Sequence, residues 1–155
     1  MYRKDGMDFH DSGDPIDILL VEDNPGDVRL TQEAFKAGKI RNNLYVVRDG
    51  VEALDFLYRK APYETAPVPD LILLDLNLPK LDGREILEKI KSHDPIRRIP
   101  VVVLTTSKAD EDVIRSYNLH ANCFITKPID LDEFFRVIRA IENFWLTVVK
   151  LPNQS

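Results

Sequence analysis

Three continuous apolar runs and one weaker strand are each followed at once by residues equipped for chemistry. Ile18-Leu19-Leu20-Val21 leads into Glu22-Asp23, and Leu71-Ile72-Leu73-Leu74 leads into Asp75. Val101-Val102-Val103-Leu104 leads into Thr105-Thr106-Ser107, and Cys123-Phe124-Ile125 leads into Thr126-Lys127-Pro128. Gathered in one crevice, the carboxylates of Glu22, Asp23 and Asp75 repel one another. At ~4 Å and an effective dielectric of about 20, each pair costs roughly 4 kcal/mol. Proton sharing, a lysine or a metal ion has to offset that. Oxygen ligands, few carboxylates and room for water suit Mg²⁺. Lys127 brings a second positive charge and Thr105 a hydroxyl. A carboxylate nucleophile, a hard cation, a lysine and a hydroxyl donor suit phosphoryl transfer, which needs positioning and charge neutralisation more than a strong base.

The elements that must position these residues are legible in the apolar pattern. The runs are too short for helices, and their continuous rather than alternating apolarity suits parallel strands buried on both faces. Leu44 to Val47 and Cys123 to Ile125 read as weaker strands. Helix starts lie between them. Asn24-Pro25 offers a cap residue and then proline at the first helical position. Asp49 with Glu52, Asp82 with Glu85, Ser107 with Asp110, and Asp130 with Glu133 have capping-box spacing. Leu131, Phe134, Phe135, Ile138, Ile141, Trp145 and Val148 draw one apolar stripe on the last helix. The order is βα five times over. That implies an α/β fold with a doubly wound five-stranded parallel sheet, in the order 2-1-3-4-5. Strands one, three, four and five are then neighbours, and their carboxyl ends share one edge. The connection from Lys60 to Pro69, with Pro62, Pro67 and Pro69, should be irregular.

The pattern resembles the receiver domain of two-component response regulators, over about residues 16 to 147. Leu20-Val21-Glu22-Asp23, Leu73-Leu74-Asp75, Asp82-Gly83, Leu104-Thr105 and Lys127-Pro128 carry the resemblance. It implies the flavodoxin-like receiver fold, with Asp75 as the phosphorylated aspartate. Asp23, Asp75 and the carbonyl of Asn77 would bind Mg²⁺ directly, and Glu22 through metal-bound water. Lys127 would pair with Asp75 and then with its phosphoryl group. Thr105 would move to that group, and Phe124, at the aromatic switch position, would turn inward with it. Lys127-Pro128 would be a cis bond. Helix one after Asn24, with Gly26, Asp27, Leu30 and Thr31, would be the surface that a sensor histidine kinase reads. Glu22 stands where many receivers have aspartate. Thr106 stands where many carry alanine or glycine, and its bulk narrows access to the phosphoryl group. Asn77 and Ser107 flank the site and would tune dephosphorylation. The proline-rich connection and the ending from Phe144 to Pro152 resemble the small regulators paired with bacterial phytochrome kinases.

The expected layout is a lead-in over 1–14, a receiver domain over 15–147 and a tail over 148–155, with no output domain. Phe144, Trp145, Val148, Val149 and Leu151 form an apolar ending, which points to a homodimer through strand five, the last helix and the tail. The chain has 155 residues, a net charge of -5, 44% apolar and 30% charged residues, an ordinary balance for a globular protein. Lacking a basic stripe, it is not expected to bind nucleic acid. No apolar run reaches the roughly 20 residues of a membrane span. One cysteine, Cys123, excludes an internal disulfide framework, and the expected address is cytoplasmic. His10, His93 and His120 share no ligand spacing and read as surface residues. A haloacid-dehalogenase-like phosphatase would want an aspartate where Asn77 stands. A flavin module would want a phosphate-cradling loop where Glu22-Asp23 stands. A degenerate, binding-only receiver would have lost Asp75 or Lys127. The expected protein is a signalling module that assists its own phosphotransfer, not a metabolic enzyme.

Overall fold

The computed structural model describes residues 15–38, 41–78, 82–94, 96–105 and 123–127, with helical residues at 132–133, 136–137 and 139–140. The elements run β1 (Ile16–Val21), α1 (Pro25–Lys36), β2 (Asn42–Val47), α2 (Gly50–Leu57), β3 (Leu71–Asp75), α3 (Gly83–Lys91), a 3-10 turn (Ile96–Arg98), β4 (Val101–Thr105) and β5 (Cys123–Thr126). All strand pairings are parallel, and the order is β2-β1-β3-β4-β5. This is the doubly wound order that the sequence predicts.

The central strands are apolar over 18–21, 71–74 and 101–104 because both of their faces are covered there. Leu19, Val21, Ile72, Leu74, Val101 and Val103 pack under α2 and α3, against Ala53, Phe56, Leu57, Ile86, Leu87 and Ile90. Their alternates Ile18, Leu20, Leu71, Leu73, Val102 and Leu104 pack under α1, against Val28, Ala34 and Phe35. Val137, in the helical residues near the end, joins that second layer. Strand periodicity of two divides each run between the layers. Among the described residues, no helix is long and apolar enough to cross a membrane.

Several expectations are refined. β2 begins at Asn42, two residues before the predicted Leu44. Asn42 Nδ2 donates to Phe35 O at 3.1 Å, and Asn43 Nδ2 to Asp17 Oδ1 at 3.1 Å, so polar side chains start this edge strand. At α2, Glu52 N donates to Asp49 Oδ1, and the Glu52 carboxylate reaches back to accept from Arg48 N. At α3 the expected box does not close. Asp82 Oδ1 accepts from Arg84 N at 2.8 Å, and its other oxygen pairs with the Arg84 guanidinium. That pairing holds the Asp82 carboxyl below the usual carboxylate range. The remaining two boxes and Lys127-Pro128 fall outside the described residues, as does most of the apolar stripe.

The connection from α2 to β3 has no helix or strand, as expected, but it is well anchored. Its cis peptide bond is Ala61-Pro62. Tyr63 packs on Phe56 with ring centroids 5.2 Å apart, and its hydroxyl donates to Glu52. That bond, with burial behind it, pushes the Tyr63 hydroxyl up to about 12. Helix α2 closes with Lys60 N donating to Asp55 O and Arg59 N to Phe56 O. These are the two bonds of a Schellman close, which places the residue after the cap in the left-handed region. Arg59 occupies that position with φ 57°, where glycine is usual.

Candidate functional site

β1 ends as Glu22 N donates to Val47 O, its last strand-to-strand bond. The chain then turns on Asn24, whose Oδ1 accepts from Asp27 N at 3.0 Å, with Pro25 opening α1. Asp75 ends β3 at 2% exposure, and its Oδ1 accepts from Asn77 N at 2.9 Å. Thr105 ends β4, fully buried, beside Thr126 of β5 in register. Lys127 N donates to Thr105 O, which fixes the residue that carries the ammonium.

That ammonium draws the site together. Lys127 Nζ lies 3.0 and 3.2 Å from the two oxygens of Glu22 and 3.1 Å from Asp75 Oδ2. A third carboxylate, Asp27 Oδ2, is 2.8 Å away. Lys127 is only 11% exposed. Burial alone would lower its basicity, but the bonds to Asp27 and Glu22 and the charges of Asp75 and Glu22 outweigh burial and raise it. Burial has the opposite consequence for Glu22, which is wholly enclosed. Desolvation, then the hydrogen bond and charge of Asp75, push its carboxyl up to about 7 against the pull of Lys127.

Glu22, Asp23 and Asp75 each offer an oxygen, all within 4.8 Å of one another. Glu22 and Asp75 are buried, whereas Asp23 is exposed. A hard oxygen donor set with one side open to water fits a divalent cation such as Mg²⁺. Asn77, the expected carbonyl ligand, is exposed two residues beyond Asp75.

The structure thus brings together Glu22, Asp23, Asp75 and Lys127, with Asn77 and Thr105 at the ends of adjoining elements. Phe124 is partly buried and packs on the layer of α2 and α3. Thr106, Phe144, Trp145 and Val148 lie outside the described residues. Two residues of helix one depart from expectation as a kinase-reading surface. Thr31 is fully buried, its hydroxyl donating to Asp27 O at 2.8 Å. Asp27 turns inward onto Lys127. A signal for the latter was present: the Asn24 cap puts Asp27 one turn along α1, at the end of the helix that meets the site.

The described geometry agrees with three kinds of likeness. The family model described as the response regulator receiver domain matches residues 18–139. Response regulator Rcp1 of Synechocystis sp. is 52% identical over 142 residues, 92% of this chain and 97% of that protein. The crystal structure of its Mn²⁺-bound form superposes with a TM-score of 0.75 at 53% identity, covering 86% of this chain and 96% of that one. The phosphorylated cyanobacterial phytochrome response regulator RcpA gives a TM-score of 0.76 at 50% identity, covering 87% and 96%. A probable methanogenesis regulatory protein, FilR2 of Methanothrix harundinacea, is 41% identical over 99% of both chains. The chain belongs to the response regulator receiver family.

Proposed function

We propose that this chain takes a phosphoryl group onto Asp75 from the phosphohistidine of a sensor histidine kinase, and signals through the change of shape that follows. One observation carries the reading: Asp75 is a buried carboxylate paired with Lys127 at 3.1 Å, inside a cluster that suits a divalent cation. In the transfer, an oxygen of Asp75 attacks phosphorus in line. The P–O bond forms as the P–N bond breaks, and the imidazole nitrogen leaves with the electron pair. Lys127 holds the Asp75 oxygen and then an oxygen of the transferred group, in a pocket where charge-assisted bonds are strong. Asp23, Asp75 and the Asn77 carbonyl would hold Mg²⁺, with Glu22 acting through its water. Bound there, the ion neutralises charge on the phosphoryl oxygens.

Thr105, tied through its carbonyl to Lys127, would answer a new acceptor at Asp75, and Phe124 would follow on β5. Thr106 would narrow the approach to the phosphoryl group. Hydrolysis of the phosphoaspartate resets the chain, which acts as a signalling module rather than a metabolic enzyme. The receiver domain is taken to span 15–147, and a homodimer through β5 and the ending with Phe144, Trp145 and Val148 would present the changed face. The likeness to RcpA, by name a phosphorylated phytochrome response regulator, supports a phytochrome as the kinase. The likeness to FilR2 makes phosphotransfer profiling against a phytochrome and an unrelated kinase the way to decide the partner.

The test is intact mass after incubation with Mg²⁺ and acetyl phosphate. A gain of one phosphoryl group, absent in Asp75→Asn and in chelator, is expected. No gain from acetyl phosphate or from any kinase donor would leave a binding-only receiver.

A further inference from the structure

The Lys127 ammonium meets three carboxylates: it donates to Glu22 and Asp75 and is ion-paired with Asp27. Glu22 and Asp75 belong to the acidic cluster that suits a cation, but Asp27 does not. It comes from the first turn of α1, its side chain is 24% exposed, and its contact with Lys127 is the shortest of the three at 2.8 Å. We propose that Asp27 is a positioning residue that competes with the transferred phosphoryl group for the Lys127 ammonium and so slows transfer to Asp75. This rests on the receiver reading given above.

The reasoning is one of differential binding. An oxygen on phosphorus lies farther from β3 than the Asp75 oxygen that Lys127 now holds. The ammonium must swing outward to meet it while held in its ion pair with Asp27. A contact made in full before transfer stabilises the starting state, and only contacts that strengthen during transfer speed it. Asp27 also adds negative charge beside the path of an anionic donor, an effect that salt screens and a direct contact resists. The placement of Asp27 on α1 gives the contact a use. A protein that engages the first turn of α1 can draw Asp27 away and free the lysine, whereas a small phosphodonor cannot. Asp27 would therefore favour a protein donor over small phosphorylated metabolites.

Asp27→Asn is nearly isosteric. It leaves intact the backbone bonds from Asp27 N to Asn24 and from the Thr31 hydroxyl to Asp27 O. In ~0.5 M salt, where the Debye length falls to a few ångströms, the variant should take phosphate from acetyl phosphate about threefold faster or more. In a Lys127→Ala background the same change should give no gain. Urea unfolding in chelator supplies a reading independent of transfer. Asp27→Asn should lower the midpoint in the wild-type chain and fail to lower it once Lys127 is gone (Lys127→Met serves if the alanine variant is unfolded). A rate unchanged or reduced in Asp27→Asn, or a gain that persists without Lys127, overturns the proposal. Additive urea midpoints overturn it too, whether or not transfer is seen. A wild-type chain that accepts no phosphoryl group while the midpoints remain coupled would instead sink the receiver reading.

Discussion

Gly83 opens α3 directly behind Asp75, the proposed phosphoacceptor, and its missing side chain is a spatial requirement. A Cβ built there would lie 2.5 Å from Leu76 Cα, 3.0 Å from Asp75 O and 3.0 Å from Leu76 Cδ2. Two of those neighbours are backbone, in the segment that leaves β3 through Asp75. Neither side yields easily. Ile86, Leu87 and Ile90 seat α3 in the core at 1% exposure or less, and β3 lies between β1 and β4. Replacing glycine by alanine in a helix ordinarily stabilises by about 1 kcal/mol. Overpacking a filled site costs about 1–3 kcal/mol, and backbone contacts argue for the upper part of that range. Gly83→Ala should therefore lose about 1–2 kcal/mol, read as a lower urea midpoint at unchanged slope. The strain relaxes by moving the backbone around Asp75 and Leu76. A misplacement approaching 1 Å costs catalysis up to about a hundredfold, so phosphorylation by acetyl phosphate should fall at least about tenfold. Gly26→Ala is the internal control. There, among the described residues, a Cβ would meet only the Asn24 side-chain oxygen, at 3.2 Å, and stability should change by less than about 0.5 kcal/mol. A Gly83→Ala chain with wild-type midpoint and rate would refute the claim that this contact positions Asp75.

Three further outcomes follow from the same geometry. Lys127→Ala should slow phosphorylation by roughly 10- to 100-fold, the worth of a charge-assisted bond of about 1.5–3 kcal/mol, and should fail to pass the signal; intact-mass kinetics and a partner-binding assay read the two effects. In chelator, stability should fall as pH rises from 5 to 7.5. The Glu22 carboxyl, raised from 4.5 to about 7 by burial and Asp75, binds more protons folded than unfolded across that window. Urea unfolding at several pH values should show a decline of up to about 3 kcal/mol, much reduced in Glu22→Gln. Arg59→Gly should raise stability by about 1 kcal/mol, read as a higher urea midpoint, because it relieves a left-handed backbone at a Schellman close that keeps its two bonds.

What the sequence revealed followed burial. β1, β3 and β4 were legible because burial on both faces leaves an unbroken apolar run, and the ends of those runs carried Glu22, Asp23, Asp75 and Thr105 into view. β2 was half seen, since the edge strand opens with Asn42 and Asn43, whose side chains do work that apolar patterning does not record. Thr31 was misread as surface because a polar residue in a helix ordinarily faces water. Here its hydroxyl returns to Asp27 O and lets the side chain be buried. The inward turn of Asp27 was hidden for a different reason. It depends on a lysine 100 positions away in the chain, and no local period encodes that meeting. The Schellman close at Arg59 escaped notice because its usual mark, a glycine, is missing.

The distance along the chain between the charges of the site bears on how the protein comes to exist. Glu22 and Lys127 meet across 105 residues, and Asp75 and Lys127 across 52. As the chain leaves the ribosome, the carboxylates of β1 and β3 can assemble well before β5 brings their counter-cation. Until then those facing negative charges lack the ammonium that pairs with them in the finished fold. Long-range parallel pairing is also slow to form. The β5 edge is therefore the step that closes the electrostatics of the whole sheet, and competence to accept phosphate marks a chain that has finished folding.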